Sequence, residues 1–298
     1  MQVFYFPFFR FFKATITISN TLLYIFFSSI FTILVSFLEI IKKASGLIAK
    51  PPTLPPPYGS QYDPCAPCSR LGTTILEFDE SVLPLLDGLH MHTLCEQNSD
   101  ALEETVEALE EKFGKYLSRL RWLNLGGGHH ITRGDYDIPR LLSLLVRLRE
   151  RYGLQIYLEP GEAVVLNAGT LVSRVLDIVQ NGMDIAILDA SATCHMPDVL
   201  EMPYRPPVRN GGAPHEKKYT YRLAGPTCLA GDIIGDYSFD APLCCGDEIV
   251  FEDMALYTMV KTNTFNGMPL PAIALKKEDG SIRVLKTFSY ENFKTRLS

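Results

Sequence analysis

The composition of this 298-residue chain lacks the features of a nucleic-acid-binding protein or a repeat protein. The net charge is −6, so the excess of positive charge that binds a phosphate backbone is missing. No internal repeat is present, and tryptophan occurs once. The remaining composition, 47% hydrophobic and 21% charged, is typical of a globular protein whose apolar content is raised by one end.

A disulfide framework is also missing. The seven cysteines are odd in number and scattered, which indicates free thiols in a reducing compartment, and we therefore expect a cytoplasmic protein. Cys65 and Cys68 form a CxxC pair, but no second pair follows at the spacing of a zinc-binding domain. A structural zinc site is the minor alternative there, and no metal ligand is predicted.

The first 50 residues differ in kind from the rest. Residues 14–38 contain no charged side chain, and a helix of 25 residues can cross a hydrocarbon core of about 30 Å. Two interpretations stay open: an apolar helix that anchors the chain in a membrane, or a spurious start of the gene model. Residues 51–57 contain five prolines and predict a stiff, extended linker.

Strands alternate with helices after the linker. Apolar runs at residues 86–93, 121–125 and 154–158 predict strands, and residues 138–152 and a segment beginning at Asn98 or Ser99 predict amphipathic helices. Such alternation is typical of parallel β/α units. We expect a partial β/α barrel over residues 58–168.

The pattern changes from residue 170 onward. Runs at residues 171–179 and 183–188 flank Asn181-Gly182, which predicts a hairpin. Further runs at residues 248–251, 256–261 and 283–288 are also strand-like. We expect a mainly β domain over residues 169–298, with the chain free to cross back to the barrel.

Several motifs at predicted strand ends carry possible chemistry. Gly126-Gly127-Gly128 can present backbone N–H groups to an anion, although a tight turn is the simpler explanation. Glu159, in Glu-Pro-Gly-Glu, can hold a pyridine nitrogen protonated. Later in the chain, Gly-Pro-Thr-Cys presents the Cys228 thiol, Ala-Leu-Tyr-Thr presents Tyr257, and Asn-Gly predicts a turn.

Together, in this order and spacing, His-x-His, GGG, EPGE, GPTC, YT and FNG closely resemble the fold-type III decarboxylases that depend on pyridoxal 5'-phosphate. GGGHHIT, YLEPGEAV, ASATCHMPD, LAGPTCLAGD and TNTFNGMPLP resemble the carboxynorspermidine/carboxyspermidine decarboxylase branch. The resemblance covers about 240 residues. It implies a (β/α)8 barrel, here without its first strands, followed by a mainly β domain, and a homodimer with a shared active site.

The resemblance also implies roles for individual residues. His92 matches the histidine that stacks on the cofactor ring, Glu159 the carboxylate at the ring nitrogen, and Cys228 the proton donor from the neighbouring subunit. The phosphate contacts match Gly126, Gly127, Gly128 and Tyr257. Loss of the α-carboxylate from carboxynorspermidine or carboxyspermidine would yield norspermidine or spermidine in polyamine biosynthesis.

Glu162 departs from the broader group, in which arginine commonly follows Glu-Pro-Gly. A carboxylate in place of a cation suits a substrate with extra ammonium groups, and Asp198 and Asp232 are further candidates for binding a polyamine. An exposed carboxylate without a ligand is the alternative at each position. Glu162 argues against a diaminopimelate- or ornithine-type decarboxylase, which is the third functional alternative.

A convincing Schiff-base lysine is missing. The lysines before residue 58 are Lys13, Lys42, Lys43 and Lys50, and none stands in a motif of the family. Two expectations therefore compete. Either the chain is an active decarboxylase, or it is a non-catalytic remnant that keeps a polyamine- or phosphate-binding pocket.

Overall fold

A computed structural model describes residues 3–7, 17–18, 21–22 and 63–297. The chain divides into two compact units, one of Phe12–Val164 and one of Met1–Phe11 with Val165–Ser298. We call them the α/β unit and the sheet unit. Among the described residues, no helix combines the length and the apolar character needed to cross a bilayer.

Described residues within the predicted apolar helix are extended. Strand β1 (Val3–Pro7) lies before that range and belongs to the sheet unit. Within residues 14–38, β2 (Thr17–Ile18) pairs antiparallel with β3 (Thr21–Leu22). The predicted membrane helix over residues 14–38 is thus not supported at these positions. Its remaining residues, and the linker at 51–57, lie outside the described residues.

The α/β unit contains the alternating elements that the sequence predicts. After a 3₁₀ helix at Glu80–Leu85 come β4 (Gly88–His90), α1 (Ser99–Leu117), β5 (Trp122–Asn124), α2 (Ile138–Tyr152) and β6 (Gln155–Tyr157). The three strands form one sheet in the order β4-β5-β6, and both pairings are parallel. Their carboxyl ends therefore lie at one edge, where the residues that follow each strand meet.

Local sequence explains the two long helices. The Asn98 side chain caps α1 by accepting from Ser99 N–H at 2.7 Å, and Asp137 caps α2 by accepting from Arg140 N–H at 3.0 Å. Gly153 ends α2 in the left-handed region, with φ 71°. The apolar faces of both helices pack in one core with the strands. The amphipathic helix predicted over residues 138–152 is confirmed, since its buried residues are the four leucines Leu141, Leu144, Leu145 and Leu148.

The sheet unit is built on eight strands. Helix α3 (Gly161–Val165) precedes β7 (Thr170–Gln180) and β8 (Asp184–Leu188), which form the predicted hairpin. After the short helices α4 (Ala192–His195) and α5 (Asp198–Glu201) come β9 (Tyr219–Ala224), β10 (Ile233–Phe239) and β11 (Glu248–Phe251). The unit ends with α6 (Tyr257–Val260), a 3₁₀ turn at Phe265–Gly267, β12 (Ala272–Lys276), β13 (Ile282–Lys286) and α7 (Tyr290–Leu297).

The strand order in this sheet is β10-β9-β8-β7-β1-β12-β13, and β11 also pairs with β7. β1 lies between β7 and β12, antiparallel to the first and parallel to the second. The mainly β character predicted for this part is confirmed. The strand predicted at residues 256–261 is wrong, because the Lys261 N–H bonds to the Tyr257 carbonyl and closes one helical turn.

Candidate active site

Four side chains gather at the carboxyl edge of the three-stranded sheet in the α/β unit. His90 ends β4, His92 lies two residues later, Asn124 ends β5, and Glu159 lies two residues beyond β6. Asn124 Nδ2 donates to Glu159 Oε1 at 2.8 Å, and His90 Nδ1 lies 3.9 Å from the same oxygen. The parallel register thus brings a fixed carboxylate beside two imidazoles.

The glycine loop follows β5 and lies against these residues. The Gly126 N–H donates to Asn124 Oδ1 at 2.8 Å, and the Gly127 N–H to His92 Nδ1 at 3.3 Å. A Cβ on Gly127 would lie 2.4 Å from the Glu159 carbonyl oxygen, and one on Gly128 would lie 1.8 Å from a neighbouring carbonyl oxygen. Close packing of the strand-end loops therefore requires glycine here, whether or not a phosphate binds.

The imidazoles at this edge are poor bases. Burial lowers the pKa of His90, and the nearby Glu159 carboxylate only partly opposes this effect. The low-dielectric surroundings also lower the pKa of His92, although part of its ring is open to solvent. Both rings are therefore neutral at neutral pH, as suits contact with a flat aromatic ring.

Two buried polar atoms next to the glycine loop have no partner among the described residues: Thr93 Oγ1 and His129 Nε2. The other ring nitrogen of His129 lies 2.6 Å from the Tyr136 hydroxyl, and burial lowers the pKa of His129 to about 4. Orphaned polar atoms of this kind are unusual in a protein interior. They fit a polar ligand group at this edge.

Glu162 lies in the first turn of α3, where it contacts His130. His130 Nδ1 is 2.6 Å from Glu162 Oε2, and both side chains are mostly buried. The sequence pointed to Glu162 as a substrate ligand, but gave no sign that His130 would face it. The carboxylate is thus held by an imidazole that follows the glycine loop.

Cys228 and Tyr257 are both exposed in the sheet unit. The Cys228 N–H donates to Asn266 Oδ1 at 2.9 Å, and Asn266 itself has φ 57°. The predicted Asn-Gly turn thus holds the loop that presents the thiol. Tyr257 begins the one-turn helix α6, and Lys261 Nζ lies 5.4 Å from the centre of its ring.

Asp232, predicted to contact substrate, is almost fully buried and accepts several hydrogen bonds within the chain. Its oxygens accept from the Ser191 hydroxyl at 2.9 and 3.0 Å, from the Thr227 hydroxyl at 2.6 Å, and from the N–H groups of Thr193 and Thr227 at 3.2 and 3.3 Å. These contacts assign the carboxylate to fixing the Gly-Pro-Thr-Cys loop. Its contact with substrate stays a prediction.

Asp198 is also largely buried and is paired. It accepts a hydrogen bond from Lys261 Nζ, which also contacts Glu201 Oε2 at 3.0 Å. Burial lowers the pKa of Lys261, but the hydrogen bonds to Asp198 and Glu201 outweigh this effect and raise it. A polyamine ammonium would have to displace this lysine, so substrate binding by Asp198 stays a prediction.

The structure therefore brings the predicted residues together in two groups, each within one unit. His92, Glu159 and the glycine loop share the strand-end edge of the α/β unit, while Cys228, Tyr257, Asp198 and Asp232 lie in the sheet unit. Asn124 and His130 were not found from the sequence. The one available signal was weak: Asn124 is a polar residue at the end of an apolar strand.

Comparisons with known proteins agree with this geometry. Residues 19–255 match the family model described as "Pyridoxal-dependent decarboxylase, C-terminal sheet domain". The chain is 44% identical over 246 residues to carboxynorspermidine/carboxyspermidine decarboxylase from Campylobacter jejuni, and 44% identical over 238 residues to carboxyaminopropylagmatine decarboxylase from Synechocystis. Each match covers 79% of this chain, and 64% and 62% of the respective relative.

A solved structure supports the same assignment. The crystal structure of carboxynorspermidine decarboxylase complexed with norspermidine, from Campylobacter jejuni, superimposes with a TM-score of 0.76 at 38% identity. The match covers 88% of this chain and 73% of that chain. Of the two curated relatives, the chain spans 64% and 62% of the length, which is somewhat less than two thirds. The family model covers most of it, and the chain belongs to the pyridoxal-dependent decarboxylase family.

Proposed function

We propose that this chain forms most of a decarboxylase that acts on carboxynorspermidine or carboxyspermidine and produces norspermidine or spermidine in polyamine biosynthesis. The observation that carries the proposal is the meeting of Glu159, His92 and the glycine loop at one strand-end edge. Two relatives at 44% identity, whose names specify carboxylated polyamine-like substrates, support the substrate class.

Pyridoxal phosphate, when bound, supplies an electron-withdrawing ring that takes up the electron pair left by departing carbon dioxide. Glu159 would hold the ring nitrogen protonated, and Asn124 fixes its carboxylate for that task. The neutral His92 ring would lie against the ring face. Gly126, Gly127 and Gly128, with Tyr257, would contact the phosphate.

Cys228 would donate its thiol proton to the α-carbon once carbon dioxide has left. Its exposure suits delivery to a site on a second copy of the chain, and we propose a homodimer with shared active sites. The loop that carries the thiol is held by Asp232 on one side and Asn266 on the other. Asp232 therefore acts as a positioning residue in this proposal, and not as a substrate ligand.

Glu162 is the best-placed carboxylate for a substrate ammonium. It lies in the same unit as His92 and Glu159, and its partner is an imidazole, not a lysine. The His130 contact is to Oε2, so a substrate ammonium can approach the carboxylate without displacing a lysine. We propose that His130 orients Glu162 and that the pair sets the preference for polyamines over diaminopimelate and ornithine.

The test is to purify the chain with pyridoxal phosphate and measure two quantities: the visible absorbance of bound cofactor, and carbon dioxide release from carboxyspermidine. We expect both, with little release from diaminopimelate or ornithine. Glu159→Gln should abolish release, while His215→Gln, at an exposed histidine of the sheet unit, should leave it unchanged. Equal rates on all substrates would overturn the polyamine assignment.

A non-catalytic binding protein is the second candidate, and one observation favours it. Between residues 63 and 164 the lysines are Lys112 and Lys115, and both lie on helix α1 instead of at a strand end. Neither can serve as the covalent anchor at the carboxyl edge. If this candidate is correct, calorimetry will show spermidine binding without carbon dioxide release, and the absence of binding removes it.

A further inference from the structure

We propose that His90, His92 and Glu159 form a binding site for a transition-metal ion such as Zn²⁺, and that the ion and pyridoxal phosphate exclude one another. The first half of the proposal depends on the geometry of the α/β unit alone. The second half rests on the proposed function. We call the three residues the His-His-Glu triad.

The triad has the donor set and spacing of a metal site. Each residue offers one ligand atom, and the three atoms all lie within 4.8 Å of one another. Ligand atoms bound to one zinc ion at 2.0–2.2 Å are about 3.3 Å apart in a tetrahedral site. His90 Nδ1 and Glu159 Oε1, at 3.9 Å, are already close to that value. Small side-chain rotations would complete the convergence.

The backbone makes this convergence a property of the fold. His90 is the last residue of β4 and His92 lies two residues later, and the ligand atoms of both lie within 4.8 Å of one another. Glu159 follows β6, which lies two strands away in a parallel sheet. The site is therefore assembled where two strands of one sheet end, and not within one loop.

Neighbouring groups orient two of the ligands. Asn124 Nδ2 donates to Glu159 Oε1, while its Oδ1 accepts from the Gly126 N–H, which fixes the amide. His92 Nδ1 accepts from the Gly127 N–H at 3.3 Å. That contact is long, so losing it when the ring turns towards a metal costs little. The Asn124 contact to Glu159 remains, and an outer contact of this kind commonly raises metal affinity.

Access and selectivity follow from the same geometry. His92 is exposed, so an ion can reach the triad and retain water in its remaining positions. Two imidazoles and one carboxylate favour Zn²⁺, Co²⁺ or Ni²⁺ over Mg²⁺ or Ca²⁺, which prefer oxygen ligands. Because Glu159 and His92 are also the residues proposed to face the cofactor ring, a bound metal would occupy the ring's place.

The experiment titrates the cofactor-free full-length chain with Co²⁺, followed by visible absorption, and with Zn²⁺, followed by calorimetry. We expect one ion per chain with nitrogen and oxygen ligation. His92→Gln and Glu159→Gln should each weaken binding at least tenfold. His215→Gln is the matched control and should bind as wild type. Circular dichroism would verify that each variant is folded.

Cysteine thiols are the competing ligands, so the titration is repeated with the exposed pair replaced, Cys244→Ser/Cys245→Ser, and with the CxxC pair of buried Cys65 and exposed Cys68 replaced, Cys65→Ser/Cys68→Ser. A cobalt–thiolate absorption that disappears in either variant, or unchanged affinity in folded His92→Gln and Glu159→Gln chains, overturns the metal site. Saturation with pyridoxal phosphate should abolish metal binding. Simultaneous binding of both overturns the exclusion. A chain that binds no cofactor would instead count against the proposed function, because the metal titration is read independently.

Discussion

Replacing Asp232 with asparagine separates a structural role from substrate binding. The side chain keeps its shape, but one acceptor oxygen becomes an NH₂ group that cannot accept a hydrogen bond. The Ser191 and Thr227 hydroxyls can rotate and accept instead. The backbone N–H groups of Thr193 and Thr227 cannot, so at least one of them loses its acceptor whichever way the amide turns.

The contacts set the size of the effect. A buried donor left without a partner costs about 1–3 kcal/mol, and the remaining hydrogen bonds lose the strengthening that a charged acceptor gives. We expect Asp232→Asn to lower the free energy of unfolding by about 2–4 kcal/mol. Asp240→Asn is the control, since its ion pair with Lys217 lies at an 80%-exposed side chain and contributes at most about 1 kcal/mol.

Urea unfolding, followed by the circular dichroism of the sheet unit's strands, measures this change. Carbon dioxide release from carboxyspermidine provides the second measurement. If Asp232 fixes the loop, stability falls and kcat falls more than KM rises, because the Cys228 thiol is misplaced. An Asp232→Asn chain with wild-type stability and a raised KM would refute this reasoning and restore the substrate contact.

Three further predictions follow from buried or closely packed groups. Gly128→Ala should abolish cofactor binding and strongly reduce soluble yield, because the new Cβ would meet a backbone oxygen at 1.8 Å and the φ of this residue is 76°. The control Gly134→Ala, whose Cβ would have no atom within 4 Å, should resemble wild type in both assays. Burial lowers the pKa of His129 and His195 to about 4 from 6.5. Between pH 6.5 and pH 4 the unfolded chain therefore binds more protons than the folded chain. The contribution of each neutral ring to the free energy of unfolding is complete above pH 6.5 and should fall by about 3 kcal/mol as the pH drops to 4. Urea unfolding at several pH values measures this loss. His130→Ala should raise KM for carboxyspermidine at least fivefold with a smaller change in kcat, and equal loss in both parameters would contradict its role in orienting a substrate ligand.

The α/β unit was predicted well because its signals are local. Helix α2 was predicted at its observed limits, since Asp137 before it and Gly153 after it are capping residues with direct physical effects. The strands were placed correctly but are shorter than predicted, and the ladder ends at Asn124, which still pairs with His90 and Tyr157. The local sequence pattern does not show at which residue the pairing between two strands ends.

Elements that depend on distant partners were predicted less well. β1 pairs Val3 with Ala272, a partner far along the chain, so no local pattern could assign residues 3–7 to the sheet. The run at residues 256–261 is too short for periodicity to distinguish a strand from one helical turn. Its conformation is accompanied by the contact of Lys261 with Asp198, 63 residues away.

Dependence on distant partners also limits what the sequence can show of the three predicted substrate carboxylates. In the sequence, the three carboxylates of Glu162, Asp198 and Asp232 have the same charge. Only the side chains and backbone groups that contact each carboxylate in the structure distinguish them. Asp232 is saturated by hydrogen bonds from three residues, and Asp198 is neutralised by a lysine that remains charged at any physiological pH.

Glu162 faces the His130 imidazole at Oε2, so an ammonium group can bind the carboxylate without displacing a lysine. Under the proposed function, a cationic substrate therefore gains most at Glu162, where it need not displace a permanent cation or leave buried donors unpaired. This difference in partners, and not the number of carboxylates, is the physical basis for placing polyamine selectivity at the strand-end edge of the α/β unit.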